Sequence, residues 1–465
     1  MSDEILLVDQ TVARARAAQA RFEAGATQER YDRAAEAAAW AIMDPARNRA
    51  LAELAVRTTG LGNVDDKVIK NHRKTLGLMR DIAGVRTCGV VRDDPATGIT
   101  EIARPLGVIG SVVPSTNPAA TPANNIINAL KCGNAIVLSP SPKGVATCEL
   151  LLTYVHAEFA KIGADPDLVQ MLPAPGSKVK TQRMLETTDL VVVTGSQDNV
   201  RRAYSSGTPA IGVGAGNVTV IVDETADLEA AAQKIAASKT FDNATSCSSE
   251  NAIVAVDAVY DAFVAELAKA GGATIADERG VVAKLWPDGK LNRQAIAQDA
   301  GPTVEALGLA GTVPPETRFI AVETAGIGPE HPLSGEKLSL VVALYRAADF
   351  QDAMDLVRRI YAHQGAGHSA GIHTALDARA LELGRSLPTC RVIVNQAHTF
   401  ATGGSFTNGM PFSLSMGCGS WGGNSIDENL HWRHFTQTTK VVREIPPREP
   451  SLDEIFGAYW AEAGK

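Results

Sequence analysis

The chain lacks the features that would commit it to a membrane, a nucleic acid or an oxidising compartment. No apolar run approaches the roughly 18 residues needed to span a bilayer. Its first ten residues, MSDEILLVDQ, carry acid where a secretory leader carries base, and no long apolar segment follows. A formal net charge of -8 supplies solubility and no general reason to bind nucleic acid. The six cysteines (Cys88, Cys132, Cys148, Cys247, Cys390 and Cys418) show no CxxC spacing and read as reduced thiols rather than a disulfide scaffold. Cytoplasm is the expected location. The nine histidines also fail to form a metal pattern. His363, His368 and His373 recur every fifth residue, which does not stack ligands on one helical face, and no cysteine or carboxylate pattern completes a site around His431 and His434. No metal is expected.

What is present describes an ordinary globular protein. Hydrophobic residues make up 45% and charged residues 21% of the 465, too many residues for one simple core. Two or three domains are expected, possibly interleaved. Residues 5–60 are rich in alanine and arginine with helical periodicity, which predicts several solvent-facing helices. From about residue 100, short apolar runs alternate with helical stretches. PLGVIGSVVPS (105–115), NAIVLSPSP (134–142), LVQMLPA (168–174) and DLVVVTGS (189–196) read as strands, with helices between them. That alternation predicts an α/β fold with a parallel wound sheet. A second half begins near residue 212 with GVGAGN, the strand VTVIV and the helix DLEAAAQKIAASKTF, and the alternation continues to about residue 395. Residues 270–335 are richer in glycine and proline and resist assignment. FTQTTKVVREI (435–445) reads as an exposed strand able to pair with another subunit.

Ligands of such sheets bind beyond the carboxyl ends of the strands, so PSTNP, SPSPKG and TGSQDN are the stretches to weigh. Thr194, Gly195 and Ser196 lie between a VVV strand and a helix, where backbone amides can meet a phosphate; an ordinary strand-to-helix turn is the alternative. Two motifs mislead. GVGAGN ends on Asn217 and is followed by a strand, whereas a dinucleotide fingerprint opens a helix. GHSAG (367–371) spells a nucleophile elbow but has its helix before and its strand after, the reverse of the required order.

Cys247 sits in FDNATSCSSEN among alanine, serine, threonine and asparagine. An inert cysteine usually sits among bulky aliphatics; a reactive thiolate needs access, donors and room for a substrate.

PSTNP, VVVTGS, YSSGTPAIGVGAGN, SKTFDN followed by CSSE, HPLSGEKLS, GAGHSAG and MGCGSWGGNS occur in this order. Together they resemble the CoA-acylating branch of the aldehyde dehydrogenase superfamily, from about residue 100 to 440. The resemblance implies an aldehyde dehydrogenase-like fold with two parallel-sheet α/β domains and a small β oligomerisation flap. Residues 1–212, with a return near 396–434, would form the cofactor-binding domain, and 213–395 the catalytic domain. Residues 86–104 and 435–446 would supply oligomerisation strands, in a homodimer or homotetramer.

The same resemblance implies the chemistry. Direct hydride loss from an aldehyde would leave an acylium ion. A thiolate that adds first creates an alkoxide, which expels hydride to nicotinamide and leaves a thioester. Cys247 matches the family's nucleophile. Asn117 matches the oxyanion asparagine, beside the Cys247 backbone N–H; a turn residue before Pro118 is its bland alternative. His368 matches the GxGH histidine and would assist thiol exchange, or serve only as a hydrogen-bond partner in a tight turn. Glu336 matches the glutamate that holds the nicotinamide ribose, with a surface carboxylate as its bland alternative. Glu250 has no assigned role.

Hydrolytic relatives carry a glutamate that activates water where this chain has Val213, and an aliphatic side chain is no base. The acyl group is therefore expected to leave to the thiol of coenzyme A. After the strand AIVLS stand Ser139, Ser141 and Lys143 with no acid, which leans slightly from NAD towards NADP; a solvated lysine at a helix start is the alternative for Lys143. The segment 395–416 resembles relatives acting on small anionic aldehydes, sulfoacetaldehyde first and succinate semialdehyde second, with Arg391, Thr407 and Asn408 as candidate anion contacts. A hydrolytic aldehyde dehydrogenase and a non-catalytic assembly protein on the same fold are the competing readings.

Overall fold

The structure is a computed structural model that describes residues 3–465. It opens on four helices: α1 (Asp3–Ala24), α2 (Gln28–Met43), α3 (Pro45–Thr59) and α4 (Val64–Ile82). Their ends follow local chemistry. Thr27, Asp44 and Asn63 each occupy an N-cap and accept backbone N–H bonds from the first turn, and Gly60 closes α3 in the left-handed conformation.

The expectation of solvent-facing helices is corrected at α2. It buries Tyr31, Ala34, Ala35, Ala37, Ala38, Ala39, Ala41 and Ile42 and packs against two further helices, α5 (Ala120–Lys131) and α6 (Val145–Ile162). Alanine side chains are short enough for neighbours to approach on several sides, so no single apolar stripe marks the buried face. Helix α4 departs further, because its buried face carries Lys67, Lys70 and Asn71.

After α4 comes the antiparallel pair β1 (Gly89–Asp94) and β2 (Ile99–Pro105). A five-stranded parallel sheet follows, built from β3 (Val108–Val113), β4 (Ala135–Pro140), β5 (Val169–Met171), β6 (Leu190–Thr194) and β7 (Ala210–Val213). Their spatial order is β5-β4-β3-β6-β7, so the winding reverses between β3 and β6. All six residues of β3 are buried, as expected of a central strand covered on both faces. Helices α7 (Lys178–Thr187) and α8 (Gln197–Tyr204) complete the crossovers.

The second sheet is also parallel and has seven strands. They are β8 (Val218–Val222), β9 (Glu250–Val256), β10 (Gly272–Ile275), β11 (Phe319–Glu323), β12 (Val341–Ala347), β13 (Ala370–His373) and β14 (Val392–Val394), in the order β10-β11-β12-β9-β8-β13-β14. Helix α9 (Leu228–Thr240) connects β8 to β9. The unassigned stretch 270–335 holds β10, β11 and short helices among turns. GHSAG runs from the helix Phe350–His363 into β13, opposite to a nucleophile elbow.

The last strand, β15 (Thr436–Val442), pairs with β2, which leaves its own outer edge open. Among the described residues, no helix is long and apolar enough to cross a membrane.

This topology positions the site. Loops leaving the carboxyl ends of β3, β4, β6 and β7 face loops entering the amino ends of β9 and β12, and a cleft lies between them. β8 pairs with both β9 and β13, so the loops that carry Cys247 and His368 enter on its two sides and meet across it.

Candidate active site

The cleft has a volume of about 850 Å³, and Cys247 lies on its wall. The cysteine is placed by an unusual turn. Asp242, Asn243 and Ala244 all adopt positive φ, at 47°, 52° and 58°. Left-handed backbone is unfavourable for side-chain-bearing residues and persists where its surroundings fix it. Here Asp242 accepts from Asn63 N (3.0 Å), Thr245 Oγ1 (2.7 Å), Lys67 Nζ (3.0 Å) and Lys70 Nζ, and its own N–H reaches Asp66 (2.7 Å). Asn243 donates to Asp299 (2.8 Å). Burial alone would raise the Asp242 carboxyl, but Lys70 and Lys67 outweigh it and hold the group below its ordinary value.

The two misleading glycine motifs now have a physical account. A Cβ at Gly216, in GVGAGN, would stand 2.0 Å from the Cys247 carbonyl oxygen. Gly367, at φ +84°, would place one 1.9 Å from the Cys418 carbonyl. Both loops need glycine because backbone meets backbone around the cysteine.

His368 Nε2 lies 3.3 Å from Cys247 Sγ. Its Nδ1 meets Ser369 Oγ at 2.8 Å, and that hydroxyl meets His398 Nε2 at 2.9 Å. Burial, followed by the nearby Arg391, lowers His368 to about 3. Burial, then Glu336 and Cys418, pushes the Cys247 thiol up to about 12. The resting pair is therefore a neutral thiol beside a neutral imidazole, not an ion pair.

Asn117, just beyond β3, lines the same cleft. Lys70 Nζ donates to its Oδ1 at 2.9 Å, so the amide NH₂ is the half left to face a ligand. The three N–H groups of Lys70 go to Asn117, Asp242 and Thr245 Oγ1 (3.0 Å).

Ser139, Ser141, Thr194, Gly195, Ser196 and Glu336 share this cleft. Ser141 Oγ is buried with no hydrogen-bond partner. Ser196 caps α8. Glu336 is pushed up to about 8 by burial, opposed by the Gly216 N–H and Lys337. Ser139 bonds Thr181 (2.9 Å), and Thr194 bonds Ser415 (2.7 Å). Val213 also lines the cleft.

Four sequence candidates lie elsewhere. Lys143 points away, its Nζ donating to Thr59 O (3.3 Å). Arg391 is buried and clamps backbone, donating to His368 O (2.7 Å), Gly417 O (2.8 Å) and Asn429 Oδ1 (3.1 Å). Thr407 is exposed, and Asn408 is tied to Gln396 (3.1 Å) and Ala401 O (3.2 Å). None of the four faces the cleft.

The sequence reading missed the cations of α4, Lys70, Arg73 and Lys74, all of which line the cleft. Their signal was present as positive charge at 67, 70 and 74, positions that share one helical face. It also missed Glu428, which lies 3.2 Å from His431 Nε2 and 3.3 Å from His434 Nε2. His431 Nδ1 meets the Arg433 N–H (3.5 Å), and His434 Nδ1 lies 3.1 Å from both the N–H and the carbonyl of His431.

Residues 6–277 match the model of the aldehyde dehydrogenase family. The chain is 57% identical over 456 residues to an acylating sulfoacetaldehyde dehydrogenase from Cupriavidus necator, covering 98% of this chain and 92% of that protein. It superposes on an acetylating aldehyde dehydrogenase from Geobacillus thermoglucosidasius with a TM-score of 0.91 at 31% identity, covering 96% of this chain and 98% of the other. A propionaldehyde dehydrogenase from Rhodopseudomonas palustris, solved with bound CoA and an acylated cysteine, gives 0.81 at 26% identity, covering 94% and 97%.

Proposed function

The chain belongs to the aldehyde dehydrogenase family, and on that premise we propose that it is a CoA-acylating enzyme of small anionic aldehydes, sulfoacetaldehyde foremost. The observation that carries this reading is the setting of Cys247. It stands on the cleft wall with Asn117, next to a neutral His368, with Val213 where a hydrolytic relative would hold its water-activating glutamate.

Cys247 Sγ attacks the carbonyl carbon, the π pair moves to oxygen, and the thiol proton leaves as the C–S bond forms. His368 Nε2 is within reach of that proton, and its low basicity couples the transfer to the attack instead of preceding it. Asn117 Nδ2–H and the Cys247 backbone N–H meet the oxygen as its charge develops. A bound nicotinamide dinucleotide supplies the two-electron acceptor for the hydride that the collapsing alkoxide expels. The acyl group then remains on Cys247 as a thioester. No carboxylate replaces Val213, so the CoA thiol attacks the thioester carbonyl, the acyl group departs as acyl-CoA, and Sγ recovers its proton.

The residues present fit such a dinucleotide. Ser141 Oγ has an open hydrogen-bonding position, Glu336 offers acceptors for ribose hydroxyls, and α8 begins beside Thr194–Ser196. NADP is favoured over NAD, which stays the alternative, because no acid follows β4 and Lys178 and Arg202 line the cleft, although Asp198 lines it too. Pairing of the open β15 edge with a second copy would build the dimer or tetramer, and the six free thiols suit a reducing cytoplasm.

The test follows reduced-cofactor formation from sulfoacetaldehyde, succinate semialdehyde and acetaldehyde, with and without CoA. Sulfoacetaldehyde should lead, and without CoA each site should turn over about once. Sustained turnover without CoA overturns the acylating mechanism, and a preference for acetaldehyde overturns the anionic substrate.

A further inference from the structure

The face that α4 turns to the cleft is positively charged along its length. Lys67 and Lys70 share the buried Asp242. One turn further, Lys74 Nζ donates to the carbonyls of Gly403 (2.5 Å) and Ser413 (3.0 Å). Burial, then Arg73 and Lys70, lowers Lys74 to about 7. Arg73 differs from all three. No carboxylate, carbonyl or hydroxyl among the described residues accepts from its guanidinium, which lies over the Phe400 ring at 4.7 Å.

Five donors fixed by an aromatic face, half-buried and without an acceptor, form a receptor for a planar or tetrahedral oxyanion. The location is suitable for a short substrate. Arg73 and Lys74 line the same cleft as Cys247, so an aldehyde whose carbon reaches the sulfur can present its far end to this wall. The loop 395–416 stays relevant in a different way from that expected, since it supplies Phe400 and the two carbonyls that hold Lys74.

We propose that Arg73, backed by Lys74, forms the subsite that binds the anionic group of the aldehyde and selects charged over neutral substrates. This rests on the anionic-aldehyde reading above.

The experiment compares the wild type with Arg73→Met and Arg73→Lys in the presence of CoA. It reads the kcat/KM ratio of sulfoacetaldehyde to propionaldehyde, a neutral aldehyde of similar size, and inhibition by ethanesulfonate, which cannot react. Arg73→Met should lower the ratio about tenfold to a hundredfold, the range for losing a charge-assisted hydrogen bond. The ethanesulfonate inhibition constant should rise by a similar factor, and Arg73→Lys should recover part of both. Equal losses on both aldehydes, or an inhibition constant that does not move, overturn the subsite. A wild type that prefers propionaldehyde overturns the substrate reading instead. Ethanesulfonate then judges the subsite alone: inhibition that depends on Arg73 supports it, and inhibition that is absent or independent of Arg73 overturns it.

Discussion

Replacing Lys70 with methionine tests whether this lysine orients the oxyanion donor. Lys70 Nζ reaches Asn117 Oδ1 at 2.9 Å and Thr245 Oγ1 at 3.0 Å, and it pairs with Asp242. Asp242 keeps Lys67, Asn63 N and Thr245 as partners after the change, so its charge is not left bare. What is lost is the acceptor-side tether that decides which half of the Asn117 amide faces the cleft. Removing an oxyanion donor altogether costs about 100- to 1,000-fold, or about 2.7–4 kcal/mol, which sets the expected loss for Asn117→Ala. Lys70→Met keeps the amide but frees its orientation, so a loss of about tenfold, near 1.4 kcal/mol, is expected. If Lys70 acts through Asn117, the double variant should be no worse than Asn117→Ala alone. The assay is the single-turnover rate of cofactor reduction without CoA, measured for all four members of the cycle. Losses that add to within about 0.5 kcal/mol would show two independent residues and refute the orienting role.

Two further predictions follow from buried charge. With Cys247 near 12 and His368 near 3, alkylation of the free enzyme by iodoacetamide should rise about tenfold per pH unit from pH 6 to 9. A plateau below pH 8 would reveal a thiolate–imidazolium pair and contradict the neutral resting state. Asp242→Asn removes the carboxylate shared by Lys67 and Lys70 and should destabilise the fold by about 3–5 kcal/mol at neutral pH, read as a fall in the urea midpoint. The folded Asp242 carboxyl is depressed, so its contribution is complete above the unfolded value of about 3.9 and disappears as pH falls through the folded one. The gap between wild type and variant should narrow below about pH 4; a gap that stays constant to pH 3 contradicts the ion-pair account.

Much of the fold is legible in the sequence. Strands β3, β4, β6 and β8 are short apolar runs bounded by turn residues, and period and length suffice to recognise such elements. The reversed order around GHSAG and the strand after GVGAGN followed from the same local patterns. Helix α2 was misread because alanine leaves no stripe, and Glu428 was missed because its partnership with two histidines depends on the path of an irregular segment.

The family resemblance placed valine where a base would stand, while the sequence by itself determined the chemical inventory: a cysteine in small company, an asparagine after a strand and a histidine among glycines. Those are properties of residue type and local order, and a one-dimensional reading has access to both. Tertiary structure decided which groups meet. It turned Arg391, a plausible anion contact, into a clamp on the backbone of His368 and Gly417. It also brought Lys70, Arg73 and Lys74 to the cleft from a helix more than 160 residues before Cys247. Charge recognition acts through space over a few ångströms, and the distance along the chain carries no information about it.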